Sequence, residues 1–169
     1  YSLIKTKNLE GDENINFYNV LEINYYLSTS QLDNVCSFKN KLVSEINLQN
    51  NFIDKIEIFC LILEDKKSEA QLLNSIMLET EEQIDKNFQQ LFSILLNEKT
   101  NETYSQELSF DNYDADLIFL YSAMARIGEI PLNEAFLNID PLNLAIPIIL
   151  NKSTPIHLRL KAANKSYIN

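Results

Sequence analysis

The stretch IEIFCLILEDKKSEAQLLNSIM, residues 56–77, decides the fold. A largely apolar run that contains a cysteine is followed by four consecutive charged residues, and a second apolar run begins soon after them. The inward-facing positions of both runs follow helical spacing: Ile53, Ile56, Cys60 and Leu63, then Ala70, Leu73, Ile76 and Met77. The pattern predicts two helices joined by a short charged turn, an αα-hairpin.

The charged residues of this turn do not form a catalytic pair. Glu64 and Asp65 are adjacent, so their carboxylates cannot face one another for acid/base chemistry, and no histidine or nucleophile accompanies them. Ser68, with a carboxylate directly after it, suits a helix N-terminus. The sequence therefore predicts a turn at this point.

The composition of the whole chain also favours helices joined by short turns. Its 169 residues suffice for one domain, 1–169, and a hydrophobic content of 46% is that of a globular protein. Only two glycines and four prolines are present, fewer than sheet-rich folds need for their turns. The longest polar stretch spans residues 97–113 and marks a sub-boundary within the domain.

Apolar periodicity predicts seven to nine helices, including residues 13–27, 31–46, 54–63, 84–96 and 114–127. The inward stripe of the first helix is predicted at Phe17, Leu21 and Tyr25. The inward stripe of the last helix is predicted at Ile156, Leu160, Ala163 and Tyr167. Gly128 is predicted to cap the C-terminal end of the helix 114–127. Successive antiparallel hairpins without a fixed repeat length indicate an all-α, degenerate α-solenoid of tetratricopeptide-like type.

Charge excludes one class of partner. The net charge of −10 opposes nucleic-acid binding, which needs clustered Lys and Arg. Residues 101–151 hold eight acids and one base, whereas residues 152–169 hold no acid. Four basic residues in that last segment form a candidate interaction surface: Lys152, Arg159, Lys161 and Lys165. No apolar run approaches the roughly 20 residues of a membrane-spanning helix.

The sequence predicts neither catalytic residues nor a metal or cofactor site. His157 is the only histidine, and the two cysteines are not at zinc-ligand spacing from it. The acids of residues 111–116 lack the glycine and glutamate that a calcium loop requires, so they are read as helix-capping residues. With two glycines in the chain, no phosphate-binding loop can be assembled. We therefore expect a protein that is not an enzyme.

The two cysteines occupy equivalent positions in a predicted hairpin. If the helices 31–46 and 52–64 are antiparallel about residue 48, Cys36 and Cys60 each lie twelve residues from the midpoint. Both belong to the apolar stripe of their helix, so they can approach to disulfide separation. A pair of reduced, buried thiols remains the alternative, and an oxidising compartment favours the bridge.

Two segments resemble a known group of proteins. FIDKIEIFCLILEDKKSEAQLLNSIMLE and GEIPLNEAFLNIDPLNLAIPIILNKSTPIHLRLKAANKSYI are similar to parts of uncharacterised tetratricopeptide-like proteins of alphaproteobacteria, some labelled antifreeze-glycopeptide-like. The shared features are a cysteine-containing helix, a short charged or glycine turn, and a helix of the pattern Pro-x-x-Leu-Arg-Leu-x-Ala-Ala. In this chain Asp65 and Lys66 stand where the group has a glycine. The resemblance implies an envelope-associated helical-repeat protein and no catalytic residues.

Two functions follow as hypotheses. The first is a non-enzymatic helical-repeat scaffold that binds another protein in the bacterial envelope. The second is the superhelical, non-catalytic arm of a larger peptidoglycan-acting enzyme, whose catalytic domain lies outside this chain. The resemblance and the cysteine geometry favour a periplasmic location; if the thiols are reduced, a cytoplasmic location is expected.

Overall fold

The computed structural model describes residues 15–45, 51–81, 83–96, 108, 115–140 and 142–167. Within these ranges the chain forms nine α-helices, one 3-10 turn and no β-strand, which confirms the predicted all-α class. The α-helices are α1 Ile15–Ser28, α2 Leu32–Glu45, α3 Asn51–Leu63, α4 Lys67–Thr80, α5 Lys86–Leu95, α6 Ile118–Ile127, α7 Glu134–Ile139, α8 Ala145–Leu150 and α9 Ile156–Tyr167. The 3-10 turn Ala115–Leu117 leads directly into α6.

The quoted stretch forms the predicted hairpin. Helix α3 ends at Leu63, a short charged turn follows, and α4 begins at Lys67. The turn is exposed, and Lys66 Nζ lies 2.6 Å from Glu64 Oε2 across it. The prediction of a turn is therefore confirmed. The predicted sub-boundary at residues 97–113 lies outside the described residues except for Leu108, which is buried.

Helix α6 is the centre of the packing. It contacts α5, which precedes it, and also α1 and α8, which are distant in sequence. Its side chains are buried on nearly every side: Ile118, Leu120, Tyr121, Ser122, Ala123, Met124 and Ala125. Arg126 Nη2 donates to the carbonyl oxygen of Leu27 at 3.0 Å and so ties α6 to the C-terminal end of α1. The other main contacts are between consecutive helices, α1 with α2, α2 with α3, α3 with α4, and α8 with α9.

The predicted inward stripe of α1 is wrong. Phe17, Leu21 and Tyr25 are exposed, Phe17 by 63%. The buried residues of α1 are instead Asn19, Ile23, Asn24, Tyr26 and Leu27. Helix α1 carries apolar residues on several sides, so spacing alone does not identify the face that packs on the neighbouring helices.

Helix α9 repeats this error. Ile156 and Leu160 were predicted to face inward, and both are exposed, whereas Leu158 and Ala162 are buried. Ile76 on α4 also faces outward. The positions of the predicted hairpins in the sequence are thus correct. Which faces of α1 and α9 point inward, and that Ile76 on α4 points outward, depend on packing against other helices, which the sequence pattern does not contain.

Three helices end in the same left-handed turn. The residues Ser30, Asp65 and Glu129, which follow α1, α3 and α6, have φ values of 61°, 58° and 56°. In each case the next residue donates its N–H to the carbonyl five residues earlier, at 2.8–2.9 Å. This is the Schellman arrangement, in which glycine is the favoured left-handed residue. Asp65 occupies the turn position where the resembling group has glycine.

Gly128 ends α6, as predicted, but not in the expected conformation. Its φ is −77°, and the left-handed residue is Glu129. A Cβ at position 128 would lie 3.3 Å from Ile94 Cγ2 and 3.3 Å from the Met124 carbonyl oxygen. The close approach of α5 to α6, and not backbone freedom, is therefore what favours glycine here.

The substitution Glu129→Gly is expected to raise the free energy of unfolding by about 0.5 kcal/mol, because glycine adopts a left-handed φ without the steric penalty of a side chain. Gly128→Ala, one residue earlier, is expected to lower it, because the added methyl group crowds Ile94 and the Met124 carbonyl. Urea denaturation of both variants measures the effect. A destabilised Glu129→Gly or a stabilised Gly128→Ala would contradict this interpretation of the turn.

Candidate functional site

The two cysteines are joined. Cys36 on α2 and Cys60 on α3 have their sulfur atoms 2.06 Å apart and their Cα atoms 5.6 Å apart. The chain has no other cysteine. Cys60 is buried and Cys36 is half-buried. The structure therefore places the two cysteines at disulfide-bonding distance, as the hairpin symmetry predicted.

A second pair has the same register. Lys39 on α2 forms an ion pair with Glu57 on α3, and Lys39 is itself buried. This pair and the cysteine pair are both centred on position 48, as antiparallel neighbours about one connection must be. The disulfide and the ion pair lie about one turn apart along the same seam, so they fix the alignment of α2 against α3 together.

Replacement of both cysteines, Cys36→Ala with Cys60→Ala, is expected to lower the free energy of unfolding by about 3 kcal/mol. The bridge closes a sequence separation of 24 residues and restricts the unfolded chain accordingly. Urea denaturation measures the loss, and the wild-type chain under reductant should behave like the variant.

Mass spectrometry of the protein from its native compartment should find it two hydrogens lighter than the dithiol form. Two free thiols there would contradict both the bridge and the inference of an oxidising compartment.

The predicted basic surface comprises Lys152, Arg159, Lys161 and Lys165, of which the last three lie on α9. Lys161 forms an ion pair with Glu134 on α7, and Lys165 Nζ donates to Asn138 Oδ1 on the same helix at 3.2 Å. Arg159 Nε donates to the Ile149 carbonyl oxygen on α8 at 3.0 Å. Lys152 is exposed between α8 and α9. Three of the four thus hold α9 against its own neighbours.

The most unusual polar group of the described structure is a buried lysine. Lys55 projects from the inner face of α3, with 3% of its side chain exposed. Its Nζ lies 2.9 Å from Glu81 Oε1 and 3.0 Å from Asp85 Oδ2. The Tyr121 hydroxyl, from α6, donates to Asp85 Oδ2 at 2.7 Å. We refer to Lys55, Glu81, Asp85 and Tyr121 as the Lys55 cluster.

Asp85 is well stabilised in this cluster. It is the N-cap of α5, and its Oδ1 accepts a hydrogen bond from the Phe88 N–H at 3.0 Å. The N-terminal end of a helix favours a negative charge. The Lys55 ammonium also lies 5.6 Å from the centroid of the Phe88 ring, within cation–π range.

Glu81, in contrast to Asp85, is poorly stabilised. It caps the C-terminal end of the 14-residue helix α4, where the helix dipole disfavours a negative charge. Its side chain is 4% exposed, and both carboxylate oxygens are buried without a hydrogen-bond donor. The 2.9 Å contact from Lys55 Nζ to Oε1 is an ion pair without hydrogen-bond geometry. Oε2 has no ion-pair partner within the described residues.

A cavity of about 540 Å³ adjoins Glu81. It is lined by Asn51, Asp54, Leu73, Ile76, Met77, Thr80 and Glu81. The pKa of Asp54 is raised above its ordinary value, chiefly because burial removes water from the carboxyl group, and further because of the nearby charges of Glu57 and Glu81. The cavity is therefore acidic on one side and apolar along Leu73, Ile76 and Met77. We call it the Asp54 cavity.

The chemistry that this region offers is the binding of positive charge. Lys55 is held between two carboxylates, and the described residues that line the cavity include no serine, cysteine or histidine. His157, the single histidine, is exposed on α9. In the described ranges, no group of three or more His, Cys, Asp or Glu side chains is arranged to hold a metal ion.

Sequence reasoning missed the Lys55 cluster. A signal was present, since Lys55 lies three residues after Phe52 and four before Phe59, both of which are buried on α3. A lysine at that position of an apolar face needs buried acidic partners. Their identity could not be found from the pattern, because Glu81 and Asp85 meet Lys55 only through the bend between α4 and α5.

The substitution Lys55→Met is expected to lower the free energy of unfolding by roughly 3 kcal/mol or more, because it leaves Glu81 and Asp85 buried without their common cation. The matched control is Lys66→Met, which removes the exposed ion pair with Glu64 and should leave stability nearly unchanged. Urea denaturation at neutral pH compares the two. Equal effects of both substitutions would show that the Lys55 cluster is not a buried charge network.

None of the helices in the described segments combines the length and apolar character needed to cross a membrane. Comparisons of the chain with protein-family models, with curated proteins and with solved structures find no match.

Proposed function

We propose that this chain is a non-enzymatic helical-repeat scaffold that binds another protein in the bacterial envelope. Consecutive helices packed as hairpins support a repeat architecture of tetratricopeptide-like type, in which side-by-side helices leave long faces open to partners. The contact of α1 with α6 adds a link between distant elements, so the array is irregular. Among the described residues, the lining of the Asp54 cavity combines acidic side chains with an apolar wall, which suits binding.

The observation that carries this proposal is the exposed apolar stripe of α1. Phe17, Leu21 and Tyr25 are spaced at i, i+4 and i+8 and extend over about 12 Å of helix length. The opposite face of α1 is buried, and α1 contacts α2 and α6. Large side chains at this spacing are how one helix presents anchors to another. We call this surface the α1 stripe.

The partner is a protein that offers an apolar helix flanked by basic residues. The apolar part matches the α1 stripe, and the basic part matches a chain whose net charge is −10. The described part of α1 contains no lysine or arginine that would repel such a helix. The basic residues of α9 are less suited to the role, because Arg159, Lys161 and Lys165 already bind α7 and α8.

The location is proposed to be an oxidising compartment, the periplasm. The Cys36–Cys60 disulfide supports this, because such bridges persist outside the reducing cytosol. The resemblance to envelope-associated tetratricopeptide-like proteins points in the same direction.

Site-specific photocrosslinking in the native host tests the proposal. A benzophenone amino acid at position 21 should give one discrete adduct with a second protein, and the same group at position 160 should not. With the purified partner, Phe17→Ser combined with Leu21→Ser should weaken binding at least about tenfold, as expected when interface anchors are lost. Titration calorimetry measures the change.

The matched control is Ile156→Ser combined with Leu160→Ser, which removes an exposed apolar pair from α9. It should leave the affinity unchanged. Equal weakening by both double variants would indicate nonspecific hydrophobic contact and contradict the proposal. Weakening only by charge reversal at Lys161 and Lys165 would place the interface on α9 and contradict the assignment to the α1 stripe.

A further inference from the structure

The charges around the Asp54 cavity do not balance. The single ammonium of Lys55 faces two carboxylates, those of Glu81 and Asp85, and Asp54 adds a third on the cavity wall. Asp85 receives hydrogen bonds from the Phe88 N–H and the Tyr121 hydroxyl as well as the ion pair. Glu81 receives none, although its side chain is almost wholly buried. The uncompensated negative charge therefore lies on the Glu81 side, next to the cavity.

The excess negative charge at Glu81 is energetically unfavourable unless a further positive group binds nearby. Buried carboxylates normally accept hydrogen bonds. At a helix C-terminus the helix dipole also disfavours a negative charge, so a carboxylate there depends on such donors more strongly. Lys55 approaches Oε1 only, and Oε2 accepts no hydrogen bond. Glu81 lines the cavity together with Asp54, so a positive group placed there would be attracted by both negative charges, although the Glu81 oxygens themselves are closed to solvent.

We propose that the Asp54 cavity binds a primary ammonium or guanidinium group on an aliphatic stem, with the cationic head at the Asp54 carboxylate, beside the buried charge of Glu81, and the stem along Leu73, Ile76 and Met77. Thr80 and Asn51 supply further oxygen atoms at the wall for the N–H groups of the head. This inference is independent of the α1 stripe and goes beyond a scaffold role. The volume of about 540 Å³ lies within the range of small-molecule sites.

An organic cation fits this cavity better than a metal ion. Calcium takes six to eight oxygen ligands, and magnesium demands a near-ideal octahedron. The seven lining residues that belong to the described part of the chain offer two carboxylates, one hydroxyl and one amide, and the other three are apolar. Apolar walls gain from burying methylene groups, which a metal ion does not carry. Two carboxylates also match the several N–H donors of an ammonium or guanidinium head.

Titration calorimetry with n-pentylammonium tests the proposal, with 1-pentanol and magnesium chloride as comparisons. We expect the amine to bind the wild-type chain with saturation, the alcohol to bind at least about tenfold more weakly, and magnesium not to compete with the amine. No saturable binding of the amine would overturn the proposal. Equal binding of amine and alcohol, or displacement of the amine by magnesium, would overturn it too.

Two isosteric substitutions locate the site. Glu81→Gln and Asp54→Asn should each weaken amine binding by roughly tenfold or more, because each removes a charged acceptor. The control Glu69→Gln alters an exposed acid on α4 outside the cavity and should leave binding unchanged. Loss of binding in Glu69→Gln, or retained binding in both cavity variants, would contradict the assignment.

Asp54→Asn also separates binding from folding. Because the folded-state pKa of Asp54 is raised, its ionised form opposes folding at neutral pH. Its removal should raise the free energy of unfolding there, and this difference should vanish at a pH below the ordinary pKa of aspartate. A variant that is more stable and still fails to bind amine shows a lost site, not a damaged fold. A destabilised, non-binding Asp54→Asn, together with normal binding by Glu81→Gln, would overturn the proposal.

The source of the cation is distinguished by two further probes. 1,5-Diaminopentane represents a free polyamine, and Nα-acetyl-lysine N-methylamide represents a lysine side chain of a protein. Tighter binding of the diamine assigns the cavity to free amines, and tighter binding of the lysine derivative assigns it to a protein side chain. Either result supports the shared chemistry. Failure of both probes to displace n-pentylammonium would overturn it.

Discussion

One buried ammonium group holds the middle of this molecule in register. Lys55 lies on α3, and its two carboxylate partners stand at the end of α4 and at the start of α5. The bend between α4 and α5 is therefore held at both ends by the same nitrogen atom. Tyr121 extends the connection to α6, the central helix. A buried ion pair adds little net stability compared with apolar residues, but it penalises every arrangement in which its partners are separated.

Other polar contacts serve the same purpose between further pairs of helices. The amides of Asn74 and Gln89 bond to one another reciprocally, at 2.9 and 2.8 Å, and join α4 to α5 beside the Lys55 cluster. Arg126 joins α6 to α1, and Lys161 joins α9 to α7. Apolar burial supplies the main driving force for such a core, and it has no direction. The directional contacts select which helix faces which neighbour.

The sequence predicted contacts between neighbouring helices and failed where helices meet across long separations. The Cys36–Cys60 bridge followed from symmetry about position 48, and the same symmetry would have paired Lys39 with Glu57. The rotation of α1 could not be predicted, because it depends on α6, about a hundred residues later. The Asp54 cavity depends in the same way on the bend after α4. Periodicity identifies apolar faces, and a helix with more than one such face needs its neighbours before its orientation is decided.

The disulfide also changes how the chain responds to a pulling force. When tension is applied to the two ends of the chain, it passes from Cys36 to Cys60 through the sulfur atoms and bypasses the segment between them. That segment, a separation of 24 residues, represents about 80 Å of extended length that stays slack until the bridge is reduced. An unfoldase that threads polypeptides one strand at a time would meet a covalent loop here. The bridge therefore sets an upper limit on how far a mechanical load can stretch the chain while the cysteines remain oxidised.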